Sequence, residues 1–142
     1  MDHVNIVVSD LERASNFFSR LGFKVEHRGE LEGEWISAIV NLKGVRASYV
    51  QLSLKGSKVK LELIQYHRPK SPDRVGTNQP NEIGIRHIAF AVDDIEAVVA
   101  TLKREGTHFW GDVQTYPETG KKLVYFYGPD GIILELAEYP AK

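Results

Sequence analysis

Two histidines head short apolar stretches that otherwise read as buried strands: His3 in "DHVNIVVSDLE" and His87 in "RHIAFAVDDIE". Two glutamates interrupt apolar stretches further on, Glu62 in "VKLELIQY" and Glu135 in "IILELAEY". Side chains alternate across a strand. His3, Asn5 and Val7 therefore share one face, opposite Val4, Ile6 and Val8. His87, Ala89 and Ala91 share another, opposite Ile88, Phe90 and Val92. By the same rule Glu62 points away from Leu61 and Leu63, and Glu135 away from Leu134 and Leu136. A carboxylate inside an apolar strand is costly unless it is paired or coordinated. Imidazole nitrogen and carboxylate oxygen are both ligands of divalent ions. Two such pairs at matched places point to one site where four donors converge. The alternatives at this point are two buried His–Glu pairs without an ion, a solvated histidine at a strand start, and a glutamate on a wet sheet face.

The elements that must position these residues come in two copies. Shifted by 84 positions, "HVNIVVSDLERASNFFSRLGF" falls on "HIAFAVDDIEAVVATLKREGT", with His3/His87, Asp10/Asp94, Glu12/Glu96 and Gly22/Gly106 identical. Shifted by 73, "VKLELIQY" falls on "IILELAEY", with Glu62/Glu135 and Tyr66/Tyr139 identical. Repeats of this kind define the architecture before any element is assigned. Each copy reads as a short strand (Val4 to Val8; Ile88 to Val92) followed by a helix. Ser9 with Glu12, and Asp93 with Glu96, predict capping boxes. The helices run over about Leu11 to Leu21 and Ile95 to Glu105, and Gly22 and Gly106 stop them. Three strands follow in each copy. In the first they are expected at Trp35 to Leu42, Tyr49 to Leu54 and Val59 to Tyr66. In the second they are expected near Thr107 to Trp110, then at Leu123 to Tyr127 and Ile132 to Tyr139. "KGSK" and "GPDG" supply the last turns. The fold class is α+β: two tandem βαβββ modules, 1–66 and 85–142, joined by a proline-bearing linker 67–84 and forming a curled mixed sheet around a central cavity.

Bulk properties narrow the function. A chain of 142 residues suits one compact domain or two small modules, and folding at this size buries about 70% of the unfolded surface. There is no cysteine, which removes thiolate metal sites and catalytic thiols. Eighteen Lys and Arg face nineteen Asp and Glu with no basic block, which argues against a nucleic-acid partner. No leader is evident, and no apolar run approaches the roughly 20 residues of a membrane helix. The expectation is a cytoplasmic protein with a small-molecule substrate and no membrane partner.

With the quartet and the doubled plan in view, the chain resembles the vicinal oxygen chelate superfamily, which includes glyoxalase I, methylmalonyl-CoA epimerase, extradiol dioxygenases and drug-resistance proteins. "DHVNIVVSDLERASNFF", "RHIAFAVDDIE" and "YGPDGIILELAEY" carry the resemblance, which covers nearly the whole chain. It implies that His3, Glu62, His87 and Glu135 are the ligands of one divalent ion (Zn, Ni, Co, Mn or Fe), with two cis positions left for water or a bidentate substrate. It implies Lewis-acid chemistry on a small oxygenated substrate and proton transfer α to a carbonyl, with Glu135 the first choice of base and Glu62 the second. The glyoxalase I type, a lyase or isomerase, carries Glu at the position of Glu62, where the epimerase more often carries a neutral amide. A ring-cleaving dioxygenase would need open positions that a fourth ligand crowds, and drug-sequestering members typically lack the ligands. Members of the family often form homodimers.

Further expectations concern single residues. His27, His67 and His108 lack a repeat partner and read as surface or loop positions. Lys121, Lys122, Tyr125 and Tyr127 read as a solvated hairpin, with closure over an anionic substrate as the alternative. Arg46 and Tyr49 are ligand-contact candidates, and Trp35 and Trp110 read as core or interface.

Overall fold

A computed structural model describes residues 1–72, 79–81 and 83–140. It divides into two compact units, Met1–Val75 and Gly76–Lys142. Part of the expected linker, 73–78 and residue 82, lies outside the described residues.

The first unit runs β1 (His3–Val7), α1 (Leu11–Arg20), β2 (Lys24–Glu32), α2 (Glu34–Val40), β3 (Arg46–Ser53) and β4 (Lys60–Arg68). Its four strands form one mixed sheet in the order β1-β4-β3-β2, with β1 parallel to β4 and the other pairs antiparallel. The second unit runs β5 (His87–Ala91), α3 (Ile95–Arg104), β6 (Gln114–Thr115), β7 (Lys122–Tyr127) and β8 (Ile133–Glu138). It repeats the order as β5-β8-β7-β6, with β5 parallel to β8. The α+β class and the doubled plan are as expected, with a separate four-stranded sheet in each unit.

Amphipathic helices close one face of each sheet. In α1, Ala14, Ser15 and Phe18 are buried, and Val50, Leu52, Leu61 and Leu63 are buried on β3 and β4. In the second unit Ile95, Val99 and Leu102 are buried on α3, with Val124, Phe126, Leu134 and Leu136 on the strands. Leucines next to each glutamate thus belong to the core, and the glutamates point to the opposite face.

Three local expectations are corrected. The stretch Trp35–Leu42 is not a strand: Glu34–Val40 is helical. Gly33, at φ 108°, ends β2 in a conformation closed to most residues, and Asn41 closes the helix in the left-handed region. Ile36 and Val40, four apart, then pack with Val45, Ala47 and Ile64, a helical face that an alternating reading overlooks. The second strand lies earlier, at Lys24–Glu32, a largely exposed edge strand whose polar sequence gives little apolar signal. The helix caps also sit one residue later than expected. Asp10 and Asp94 accept from the backbone N–H of Arg13 and Ala97 at 2.9 and 3.0 Å, so Ser9 and Asp93 are not the caps. In the second unit the weak strand near Thr107–Trp110 reduces to a bridge between Phe109 and Phe126, with β6 further on.

The starts of the two long helices are anchored the same way. Gln65 Oε1 accepts from Leu11 N at 3.0 Å, and Glu138 Oε2 accepts from Ile95 N at 2.8 Å. These residues hold corresponding places on β4 and β8, so each unit ties its helix to its innermost strand through the free N–H groups of the first turn.

Candidate functional site

The register of the parallel strand pair places each histidine beside its glutamate. On β1 and β4, His3 lies opposite Lys60 and Asn5 opposite Glu62. On β5 and β8, His87 lies opposite Ile133 and Ala89 opposite Glu135. The offset is the same in both units, and histidine and glutamate meet on the sheet face away from α1 or α3.

The contacts differ in a way that one residue explains. Asn5 Nδ2 donates to Glu62 Oε1 at 3.0 Å, and His3 Nε2 stands 3.9 Å from the same oxygen. In the second unit Ala89 has no polar group to offer, and His87 Nε2 lies 3.1 Å from Glu135 Oε2. Lys121 Nζ takes the other oxygen, Oε1, at 3.1 Å. Glu135 is buried at 6% exposure; its compensation comes from an imidazole on one oxygen, an ammonium on the other and a hydrogen bond with Tyr125.

Neighbouring groups orient these side chains. Asp2 Oδ2 lies 2.7 Å from His3 Nδ1. That hydrogen bond raises the imidazole pKa, with Glu62 adding a smaller push in the same direction, and it lowers the Asp2 carboxyl. It also leaves Nε2 as the nitrogen turned to Glu62, the arrangement by which a carboxylate orients a ligating imidazole. The Tyr125 ring lies 5.0 Å from His87, and burial, then the Glu135 carboxylate, pushes its phenol upward. The hydrogen bond to Glu135 raises Lys121. Trp110 packs at 5.7 Å from Tyr125 and 5.3 Å from Tyr127.

All four residues expected to ligate are therefore found as two pairs, one in each unit. Among the described residues no group of three or more His, Cys, Asp or Glu is gathered as an ion would require. Each pair still fits half of such a site. Two donors about 2.1 Å from one ion, in cis positions, stand about 3 Å apart, close to the His87–Glu135 separation. The nitrogen-and-oxygen donor set suits a borderline divalent ion. Asn5, Asp2 and Lys121 complete the surroundings. Asn5 was legible as part of the histidine face, whereas Asp2 and the Lys121–Glu135 contact leave no periodic signal.

The remaining candidates are more ordinary. His27, His67 and His108 are exposed, though His27 and His67 lie in strands. His67 Nε2 is 2.7 Å from Ser48 Oγ, and His108 stacks on Tyr127. Lys122 pairs with Glu138 at 3.0 Å, so it and Lys121 are held rather than free in a solvated hairpin. Trp35 is 56% exposed on α2 and is not part of its unit's core. The Tyr49 ring lies over Gly29: a Cβ there would stand 2.6 Å from the ring, so any larger residue would have to push the ring aside. Arg46 is exposed.

Residues 1–136 match the model of the Glyoxalase/Bleomycin resistance protein/Dioxygenase superfamily. A solved glyoxalase family protein from Bacillus cereus superposes with a TM-score of 0.92 at 30% identity, covering 99% of this chain and 94% of that one. The uncharacterized protein YwkD of Bacillus subtilis is 34% identical over 96% of this chain and 94% of its own length. Relatives with named activities include epimerases. A 2-epi-5-epi-valiolone epimerase from Actinomyces sp. is 28% identical over 98% of this chain and 79% of its own length. The mitochondrial methylmalonyl-CoA epimerase of Mus musculus is 29% identical over 97% and 72%.

Proposed function

The chain belongs to the Glyoxalase/Bleomycin resistance protein/Dioxygenase superfamily, and from that premise we propose that it is a divalent-metal-dependent lyase or isomerase, moving a proton on a carbon next to a carbonyl. The carrying observation is the repeated His–Glu pair at the same register in both units, His3 with Glu62 and His87 with Glu135. The epimerases among the relatives favour proton transfer over ring cleavage or sequestration.

His3, Glu62, His87 and Glu135 would hold the ion, one imidazole and one carboxylate from each unit. When bound, a divalent ion supplies Lewis-acid stabilisation of the oxyanion that forms as the α-proton leaves. The side chains supply the rest. Glu62 and Glu135 are the proton-handling pair, one carboxylate taking the proton and the other returning it, which inverts a carbon without breaking its skeleton. Asp2 holds His3 in the tautomer that presents Nε2. Asn5 and Lys121 keep the carboxylates aimed by hydrogen bonds to one oxygen of each. A homodimer acting on a small molecule in the cytoplasm belongs to the same proposal, supported by the family resemblance. No helix among the described residues is long and apolar enough to cross a membrane.

Anaerobic purification followed by metal analysis, then incubation with 2-oxo acids and acyl thioesters in deuterated water, tests the proposal. Stoichiometric divalent metal, its loss in His87→Ala, and deuterium entering the α-carbon of unchanged substrate are expected. Metal-free protein whose affinity for added metal is the same with and without His87 would sink it. Oxygen uptake with catechols, or tight binding of an aromatic drug by metal-free protein, would move the chain to a different branch of the family.

A further inference from the structure

Glu135 already has a cation. Its side chain is almost fully buried, with His87 Nε2 at 3.1 Å from Oε2, Lys121 Nζ at 3.1 Å from Oε1, and the Tyr125 hydroxyl as a further hydrogen-bond partner. Lys121 is the residue before β7, and its backbone is fixed: its carbonyl accepts from Tyr116 N at 2.7 Å and its N–H donates to Thr119 Oγ1 at 3.3 Å. The four-carbon stem is the part free to swing, and a quarter of the side chain reaches solvent. In that same position the ammonium lies 5.3 Å from the Tyr139 ring centroid, so Glu135 and Tyr139 share it.

The first unit has nothing equivalent. Tyr125 lies opposite Glu135 as Gln51 lies opposite Glu62. Four residues before Tyr125 is Lys121; four residues before Gln51 is Ala47, fully buried in the α2 cluster. Glu62 is held by the neutral amide of Asn5 instead. Duplication thus left one carboxylate with an internal cation and the other without.

We infer that Lys121 is a built-in competitor for a divalent ion at Glu135: from Oε1 its ammonium neutralises the buried carboxylate in the ion-free protein, and it opposes a second cation at Oε2 beside His87. This rests on the metal-binding reading above. The physical basis is charge. Burial of Glu135 demands a positive partner, so an ammonium stabilises the ion-free protein. Once an ion is present, two positive groups compete for one carboxylate and repel each other at short range. Lys121 therefore sets how tightly the ion is held as well as how stable the empty protein is.

The test is a cobalt(II) titration of the full chain, followed by visible absorption and by calorimetry, for wild type, Lys121→Gln, Lys121→Arg and Lys122→Met. Lys121→Gln keeps a hydrogen-bond donor for Glu135 and removes the charge. It should bind cobalt about tenfold more tightly or better, with a lower Tm when metal-free and a larger rise in Tm on adding cobalt. Lys121→Arg keeps the charge and should bind no more tightly than wild type. Lys122→Met, whose partner is Glu138, should match wild type. Lys121→Gln binding equally or more weakly than wild type overturns the inference while leaving the metal centre standing. No cobalt binding by any of the four proteins overturns the metal centre itself, and the inference with it.

Discussion

At Glu138 one carboxylate serves three elements. Oε2 accepts from Ile95 N at the start of α3, and Oε1 receives Lys122 Nζ from β7. The backbone hydrogen bond first, and Lys122 second, depress the carboxyl below its ordinary value of 4.5. A depressed carboxylate contributes stability that is fully present above the unfolded pKa and is lost as pH falls through the folded one. Glu138→Gln should therefore lower the urea midpoint at pH 7 by roughly 0.2–0.5 M, the scale expected when a negative charge leaves a helix N-terminus. The gap between variant and wild type should close as pH drops below 4.5. Urea unfolding from neutral pH down through that range checks it, and a gap that persists in acid would show that shape rather than charge matters. Gln65 already does the same task without charge in the first unit, which is why the loss is small.

At the scale of elements, α2 offers the sharpest test because its residues were legible as apolar but not as helical. Ile36 is buried against Val45, Ala47 and Ile64, while Ile39 is 71% exposed. Ile36→Ala should cost about 2–4 kcal/mol through the cavity it leaves, and Ile39→Ala should stay within about 0.5 kcal/mol. A strand over the same residues would also bury 36 and expose 39, but it would place 36 and 40 together with 38, so Ala38→Lys separates the two cases. In the helix it should be tolerated better than Val40→Lys, and thermal unfolding of the two variants checks it. The repeat made β1, α1, β4 and their partners readable, because identical residues recur at fixed spacing. β2 escaped because an exposed edge strand needs no apolar alternation. The caps shifted by one because Ser9 and Asp10, like Asp93 and Asp94, offer adjacent acceptors, and only the backbone angles decide between them.

Across the whole molecule the doubled plan explains what the sequence could say about the site. His3, Glu62, His87 and Glu135 stood out because each interrupts an apolar pattern twice over, and their pairing follows from strand register. Asp2 and Lys121 lie outside the strands they serve, so periodicity is blind to them. The proposed metal centre is checked by metal analysis of wild type, His3→Ala and His87→Ala, which should both lose the ion. The chain also holds one tryptophan in each unit, Trp35 on the outside of α2 and Trp110 beside Tyr125, whose ring touches His87. Emission from the two can therefore be read as separate optical reporters. With Trp35→Phe, the remaining glow comes from beside the His87–Glu135 pair, and dimming by a paramagnetic ion would register its arrival there. With Trp110→Phe, the remaining red-shifted light would follow the other half alone.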